Sequence, residues 1–202
     1  MAGHSKWASI RHPKGARVGE AANQRRREPR DAADDALEPF RCEGYGPGGA
    51  AMLMDGRTDS RDRTMRQVRE LLHRHGGHLG AQGSVSYLFN EVGLMIYRPG
   101  TSIERLVRGA LTAGAEDVVP HADGSIEVLA DPLEFDTVLA LLQSSGFVPT
   151  TAEITQRASV CVLLGKSQAA AMIRLLEALD ELNDIQNVYT NAEIPDEVLA
   201  RI

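Results

Sequence analysis

Residues 93 to 156 alternate between two hydrophobic periods in an order that leaves few folds open. Leu94 to Tyr97 reads as a strand, and Thr101 with Glu104 then offers a capping box. Ile103, Leu106, Val107, Ala110 and Leu111 keep helical spacing as far as Gly114. Glu116 to Val119 and Ile126 to Leu129 read as strands joined through the turn signal Asp123-Gly124. Asp131-Pro132 and Glu134 open a second helix carrying Phe135, Val138, Leu139 and Leu142, closed by Gly146 before a last strand that includes Ile154. The order β-α-β-β-α-β is that of a ferredoxin-like split unit.

The flanking segments use the same elements. Arg41 to Met54 reads as extended chain around a glycine-rich turn, with Ala50, Met52 and Met54 alternating against Ala51 and Leu53. A helix begins near Ser60, with Asp59 or Ser60 as N-cap, gathers Met65, Val68, Leu71 and Leu72 on one face and ends at Gly76-Gly77. Ser84 to Phe89 reads as a strand. Beyond residue 156, Val160, Val162 and Leu164 alternate as a strand, Ser167 caps a helix with Met172, Leu175, Leu176 and Leu179 inward, and Ile185 to Thr190 is a strand again. Residues 39–92 plus 157–202 therefore suffice for a second α+β domain interrupted by 93–156. Periodicity alone does not establish that the two halves pair.

The first 38 residues read differently. Between Pro13 and Pro39 the only large apolar side chains are Val18 and Leu37, too little surface to balance the entropy of ordering the chain. Up to residue 30 there are eight basic residues against two acidic ones, Glu20 and Glu28, a charge of +6; the whole chain carries −6, which leaves −12 for the rest. A basic arm on an acidic body can lie against phosphate, or it can serve as a solubilising tail. No apolar run approaches the ~20 residues of a membrane span, so a cytoplasmic protein with no membrane partner is expected. Cys42 and Cys161 lack CxxC spacing and read as packed thiols.

No catalytic constellation emerges, and no enzyme, cofactor or small-molecule substrate is expected. Gly44-Tyr45-Gly46-Pro47-Gly48-Gly49 lacks the Lys-Ser/Thr of a P-loop and reads instead as a bend whose glycines permit positive φ. His73, His75 and His78 have no cysteine near them, so exposed histidines at a helix C-terminus explain them better than a metal site. Arg63, Arg66 and Arg69 recur every three residues behind Arg61, opposite the apolar face of their helix. Such a stripe can grip a phosphate backbone, or be a solvated face paired with Asp59, Asp62 and Glu70. Lys6, Arg11, Lys14 and Arg17 can neutralise phosphates, and Trp7 can stack on an unpaired base. Glu177, Asp180, Glu181 and Asp184 form an acidic stripe on the last long helix, a solubilising face or one that repels nucleic acid or meets a basic partner.

Several of these stretches carry a resemblance. The opening Met-Ala-Gly-His-Ser-Lys-Trp-Ala-Ser-Ile-Arg-His-Pro-Lys-Gly, Glu43-Gly44-Tyr45-Gly46-Pro47-Gly48-Gly49, His75-Gly76-Gly77-His78-Leu79-Gly80 with Gly83-Ser84-Val85, Ala113-Gly114-Ala115-Glu116-Asp117 and Asn187-Val188-Tyr189-Thr190-Asn191 resemble the YebC/PmpR family of gene-expression regulators. Thr58-Asp59-Ser60-Arg61-Asp62-Arg63-Thr64 is similar to the family's Thr-Asp-Asn-Arg-Asn-Arg-Thr, with Ser60 and Asp62 in place of asparagines. The resemblance implies two ferredoxin-like domains, 93–156 inserted into 39–92 plus 157–202, and the loss of most of an N-terminal helical domain from residues 1–38. It also implies a DNA-binding transcriptional regulator or a ribosome-associated translation factor touching ribosomal RNA, working through Lys6, Trp7, Arg11, Lys14, Arg17, Arg61, Arg63, Arg66 and Arg69. A protein-interaction module, or a copy that no longer binds nucleic acid, is the competing expectation.

Overall fold

The computed structural model describes residues 37–199, which fall into two compact units, one of residues 37–90 with 158–199 and one of residues 91–157. In the second unit, β4 (Phe89–Tyr97, entering from the first unit), α2 (Ile103–Ala113), β5 (Asp117–Pro120), β6 (Ile126–Ala130), α3 (Phe135–Ser144) and β7 (Thr151–Ala158) follow in order. The sheet order is β5-β6-β4-β7, the ferredoxin-like arrangement, with β6 antiparallel to both β4 and β5. Met95 and Tyr97 of β4 and Ile126, Val128 and Ala130 of β6 point to the helices, where Leu106, Ala110, Phe135, Val138 and Leu142 complete the core. These are the period-2 and period-3.6 positions of the sequence, and each large apolar side chain fully buried contributes about 1.5–3 kcal/mol.

The first unit pairs β1 (Glu38–Tyr45) with β2 (Ala51–Thr58) as an antiparallel hairpin; β3 (His78–Leu79) adds to β1 and β9 (Ile185–Thr190) to β2, giving the order β3-β1-β2-β9. Helices α1 (Arg61–Arg74) and α4 (Lys166–Asp180) bury Val68, Leu72, Met172, Leu175, Leu176 and Leu179 with Phe40, Met52 and Met54 of the hairpin. On another face of that sheet Ala51 and Leu53 meet Val85 and Phe89. β8 (Val162–Leu163) runs parallel to β10 (Ala192–Glu193), and a short α5 (Asp196–Leu199) ends the described chain. None of the described helices is long and apolar enough to cross a membrane.

The α+β class holds, and Arg41 to Met54 is extended chain around a glycine-rich turn, as expected: two paired strands, with the chain reversed between them by the 3₁₀ turn Pro47–Gly49, with φ of +74° at Gly48 and +75° at Gly49. Several other local expectations do not hold. Ser84 to Phe89 is not a strand: Ser86–Leu88 is a 3₁₀ turn, and the amides of Val85 and Ser86 bond to the Glu43 carboxylate instead of a neighbouring strand. Thr101 and Glu104 form no capping box. The N-cap is Ser102, and the Thr101 hydroxyl donates back to the Arg98 carbonyl at 2.8 Å. Ser167 lies inside α4, whose N-cap is Gly165, with the Gln168 side-chain oxygen accepting the Gly165 N–H at 3.1 Å.

Candidate nucleic-acid interface

The start of α1 is built by the residues around it. The Thr58 hydroxyl accepts the Ser60 N–H at 3.0 Å, so the N-cap residue is held by a neighbour and makes no side-chain cap bond of its own. Thr64 is fully buried one turn into the helix, with its hydroxyl 2.8 Å from that of Thr58. Both hydroxyls and Arg63 converge on Asp184, in the loop between α4 and β9. Thr64 donates to it, the Arg63 guanidinium lies 2.9 Å away, and the single Thr58 proton can go to Asp184 at 3.1 Å or to Thr64. Partial burial pushes the Asp184 carboxyl up, but the bonds from Thr64, Arg63 and Thr58 outweigh it and hold its pKa below the ordinary value. Arg63 is also paired with Asp59 across one helical turn. Its bonds to Asp59 and Asp184 raise its pKa further.

The predicted stripe therefore divides. Arg61, Arg63, Arg66 and Arg69 are all exposed, yet Arg63 is committed to two carboxylates and staples α1 to the loop after α4. Arg66 and Arg69 have no ion-pair partner among the described residues, and they share the outward side of the helix with His73 and Arg74. A shallow depression there is lined by Arg69, Glu70, His73 and Arg74. Lys6, Trp7, Arg11, Lys14 and Arg17 lie outside the described residues.

The far end of α1 rests on the glycine-rich turn. The Gly77 N–H closes the helix on the Leu72 carbonyl at 2.7 Å, with Gly76 at φ +82° as the left-handed exit. Gly77 packs directly against Tyr45 and Gly46. A Cβ on Gly44 would come within 2.7 Å of the His78 carbonyl oxygen, and one on Gly46 equally close to Met172 of α4. The turn amides are used internally, Gly46 to Ala50 and Gly49 to Gly46, so the glycines serve close packing and a left-handed turn and form no phosphate cradle. The His78 ring stacks on Tyr45 with centroids 5.1 Å apart, and among the described residues no group of three or more His, Cys, Asp or Glu is placed to hold a metal.

One residue that matters was missed in the sequence. Glu43, 5% exposed, accepts the N–H groups of Gly83 at 2.7 Å, Val85 at 2.7 Å and Ser86 at 2.9 Å, and the Tyr45 hydroxyl donates to the Ser84 carbonyl at 3.1 Å. Burial raises its pKa, but the amides of Val85, Gly83 and Ser86 lower it by more, leaving Glu43 below the ordinary glutamate value. The only sequence signal was an acid flanked by residues that alternate into a core.

The family model described as "TACO1/YebC second and third domain" matches residues 37–192. A "probable transcriptional regulatory protein" of Methylococcus capsulatus is 40% identical over 247 aligned positions that cover all of both chains. The present chain has 202 residues, so about 45 of those positions have no counterpart in it. A protein of the same name from Paraburkholderia phymatum is 39% identical over 242 positions, covering 98% of this chain and all of its own. The crystal structure of a conserved hypothetical protein from Aquifex aeolicus superposes with a TM-score of 0.72 at 39% identity, over 81% of this chain and 68% of that one.

Proposed function

Because the chain belongs to the TACO1/YebC family, whose members are named as regulators of gene expression, we propose that it is a non-enzymatic factor that binds DNA or ribosomal RNA through phosphate contacts made by α1. The observation that carries this reading is the pair Arg66 and Arg69, exposed on a helix fixed at both ends and without carboxylate partners among the described residues. A guanidinium not engaged by a carboxylate can pair bidentately with a phosphate. Arg61 stands at the first turn of the same helix, while Arg63 acts as a structural staple. Lys6, Arg11, Lys14 and Arg17 add electrostatic attraction from the arm, and Trp7 an aromatic face for stacking. Gln67 is the one exposed side-chain amide on α1, beside Arg61, Arg66, Arg69 and Arg74, a balance that favours backbone contact over sequence readout. The test is cosedimentation of the purified protein with ribosomes across a salt series, with duplex DNA as competitor. Salt-sensitive binding that DNA does not displace identifies a translation factor, and preference for DNA a transcriptional regulator. Binding to neither refutes the proposal.

A further inference from the structure

Resting on the nucleic-acid reading, we infer that His73 is a further phosphate contact of the α1 site, one that engages only when its imidazole is protonated, so that nucleic-acid affinity rises as pH falls. The helix itself sets the placement. At about 3.6 residues per turn, a residue seven positions on returns to within about 20° of the same direction. His73 therefore continues the strip begun by Arg66, two turns further along, with Arg69 between them. All three side chains are exposed. The depression at this end of the helix is lined by Arg69, Glu70, His73 and Arg74, and among the described residues β1, β3 and α4, which pack against α1, supply none of its lining.

The charge of that lining turns on one residue. With His73 neutral, the Glu70 carboxylate offsets one of the guanidiniums of Arg69 and Arg74 and leaves a single net positive charge. Protonation of His73 doubles it. Imidazole is the side chain whose charge changes between about pH 8 and pH 5, and its protonated form donates from both nitrogens, while a phosphodiester stays anionic throughout. His73 has no ion-pair partner among the described residues, so that charge is open to a phosphate. The other histidines of this end are used differently: His75 is the half-buried C-cap residue, and the His78 ring of β3 stacks on Tyr45 with centroids 5.1 Å apart. A cation in the last turn of α1 is also favoured by the negative end of the helix dipole. That structural role alone would change stability with pH and leave affinity where it was.

The experiment titrates a labelled 20-nucleotide RNA and a 20-base-pair DNA duplex with the full chain at pH 8.0 and pH 5.5, from 50 to 200 mM salt, with urea midpoints at each pH to establish that the protein is folded. Three forms are compared: the unaltered protein, His73→Gln and His73→Arg. His4, His12, His75, His78 and His121 remain in all three, so their titration is common to them. At 50 mM salt the unaltered protein should bind roughly 3- to 10-fold tighter at pH 5.5 than at pH 8.0, with a log–log salt slope steeper by about 0.7 to 0.9, the value for one further neutralised phosphate. His73→Gln should lose that gain, and His73→Arg should bind at pH 8.0 as tightly as the unaltered protein does at pH 5.5. An affinity that does not change with pH, whether or not the urea midpoint does, overturns the inference and leaves nucleic-acid binding standing. So does a gain that persists in His73→Gln. Binding of neither ligand at either pH overturns the underlying reading as well.

Discussion

Replacing Glu43 by glutamine changes one buried carboxylate oxygen to an amide nitrogen, and the structure allows the cost to be worked out. The carboxylate collects three N–H donors, from Gly83 on one oxygen and from Val85 and Ser86 on the other, at 2.7 to 2.9 Å. A hydrogen bond to a charged group contributes ~1.5–3 kcal/mol, and a buried donor left without a partner costs ~1–3 kcal/mol. Glutamine can keep its carbonyl on Val85 and Ser86, which leaves its NH₂ facing the Gly83 N–H. One charge-assisted bond is lost and two donors collide, for an expected destabilisation of about 2–4 kcal/mol. The assay is a urea titration combined with amide hydrogen exchange. The amides of Gly83, Val85 and Ser86 should lose protection while those of β5 and β6, in the other unit, keep theirs. The pH dependence has a definite sign. The folded pKa is lowered, so the stabilisation is complete above the unfolded value of about 4.3 and is lost as pH falls below it through the folded pKa. A glutamine variant with an unchanged midpoint and unchanged exchange at those three amides would refute the reasoning.

Asp184→Asn should cost about 1–2 kcal/mol, since an amide accepts less strongly from Thr64, Arg63 and Thr58; urea midpoints at pH 7 check this, and the difference should shrink as the wild-type carboxyl protonates in acid. Arg63→Ala should lower the unfolding midpoint yet shift nucleic-acid affinity less than Arg66→Ala, because its guanidinium is already held by Asp59 and Asp184; the reverse ranking in a binding titration would return Arg63 to the contact surface. Tyr97→Phe should be neutral or stabilising by up to about 1 kcal/mol, as the Tyr97 hydroxyl is buried without a hydrogen-bond partner among the described residues. The Cys42 thiol, pushed up to about 12 chiefly by burial, should resist iodoacetamide at pH 8 in the folded protein while the half-buried Cys161 reacts; mass spectrometry of the labelled peptides decides it.

The sequence made the fold class legible because its hydrophobic spacing is a local signal. Leu106 with Ala110, Val138 with Leu142, and Met172, Leu175, Leu176 and Leu179 sit in the core for the reason that their periodicity gives. What stayed hidden depends on partners far along the chain. Nothing near Ser84 announces that its neighbours' amides belong to Glu43, some forty residues earlier, so a strand was the natural reading of Ser84 to Phe89. Nothing near Arg63 announces Asp184, 121 residues later, and a stripe of equivalent arginines splits into a staple and two cations without an ion-pair partner among the described residues. By its spacing Asp184 reads as one more member of an acidic stripe, whereas its half-buried carboxylate ties α1 to the loop before β9. The glycine-rich turn was legible as a positive-φ bend, but not as the contact point for the ends of both helices.

The most direct test of the account is the salt dependence of nucleic-acid affinity for the Arg66→Glu/Arg69→Glu protein beside the unaltered one, with circular dichroism and urea midpoints to confirm that both are folded. The account predicts equal stability, an affinity lower by at least roughly 10-fold at 100 mM salt, and a slope shallower by about one to two units. An affinity and slope indistinguishable from the unaltered protein, with both folded, would contradict the claim that α1 is the phosphate-binding surface.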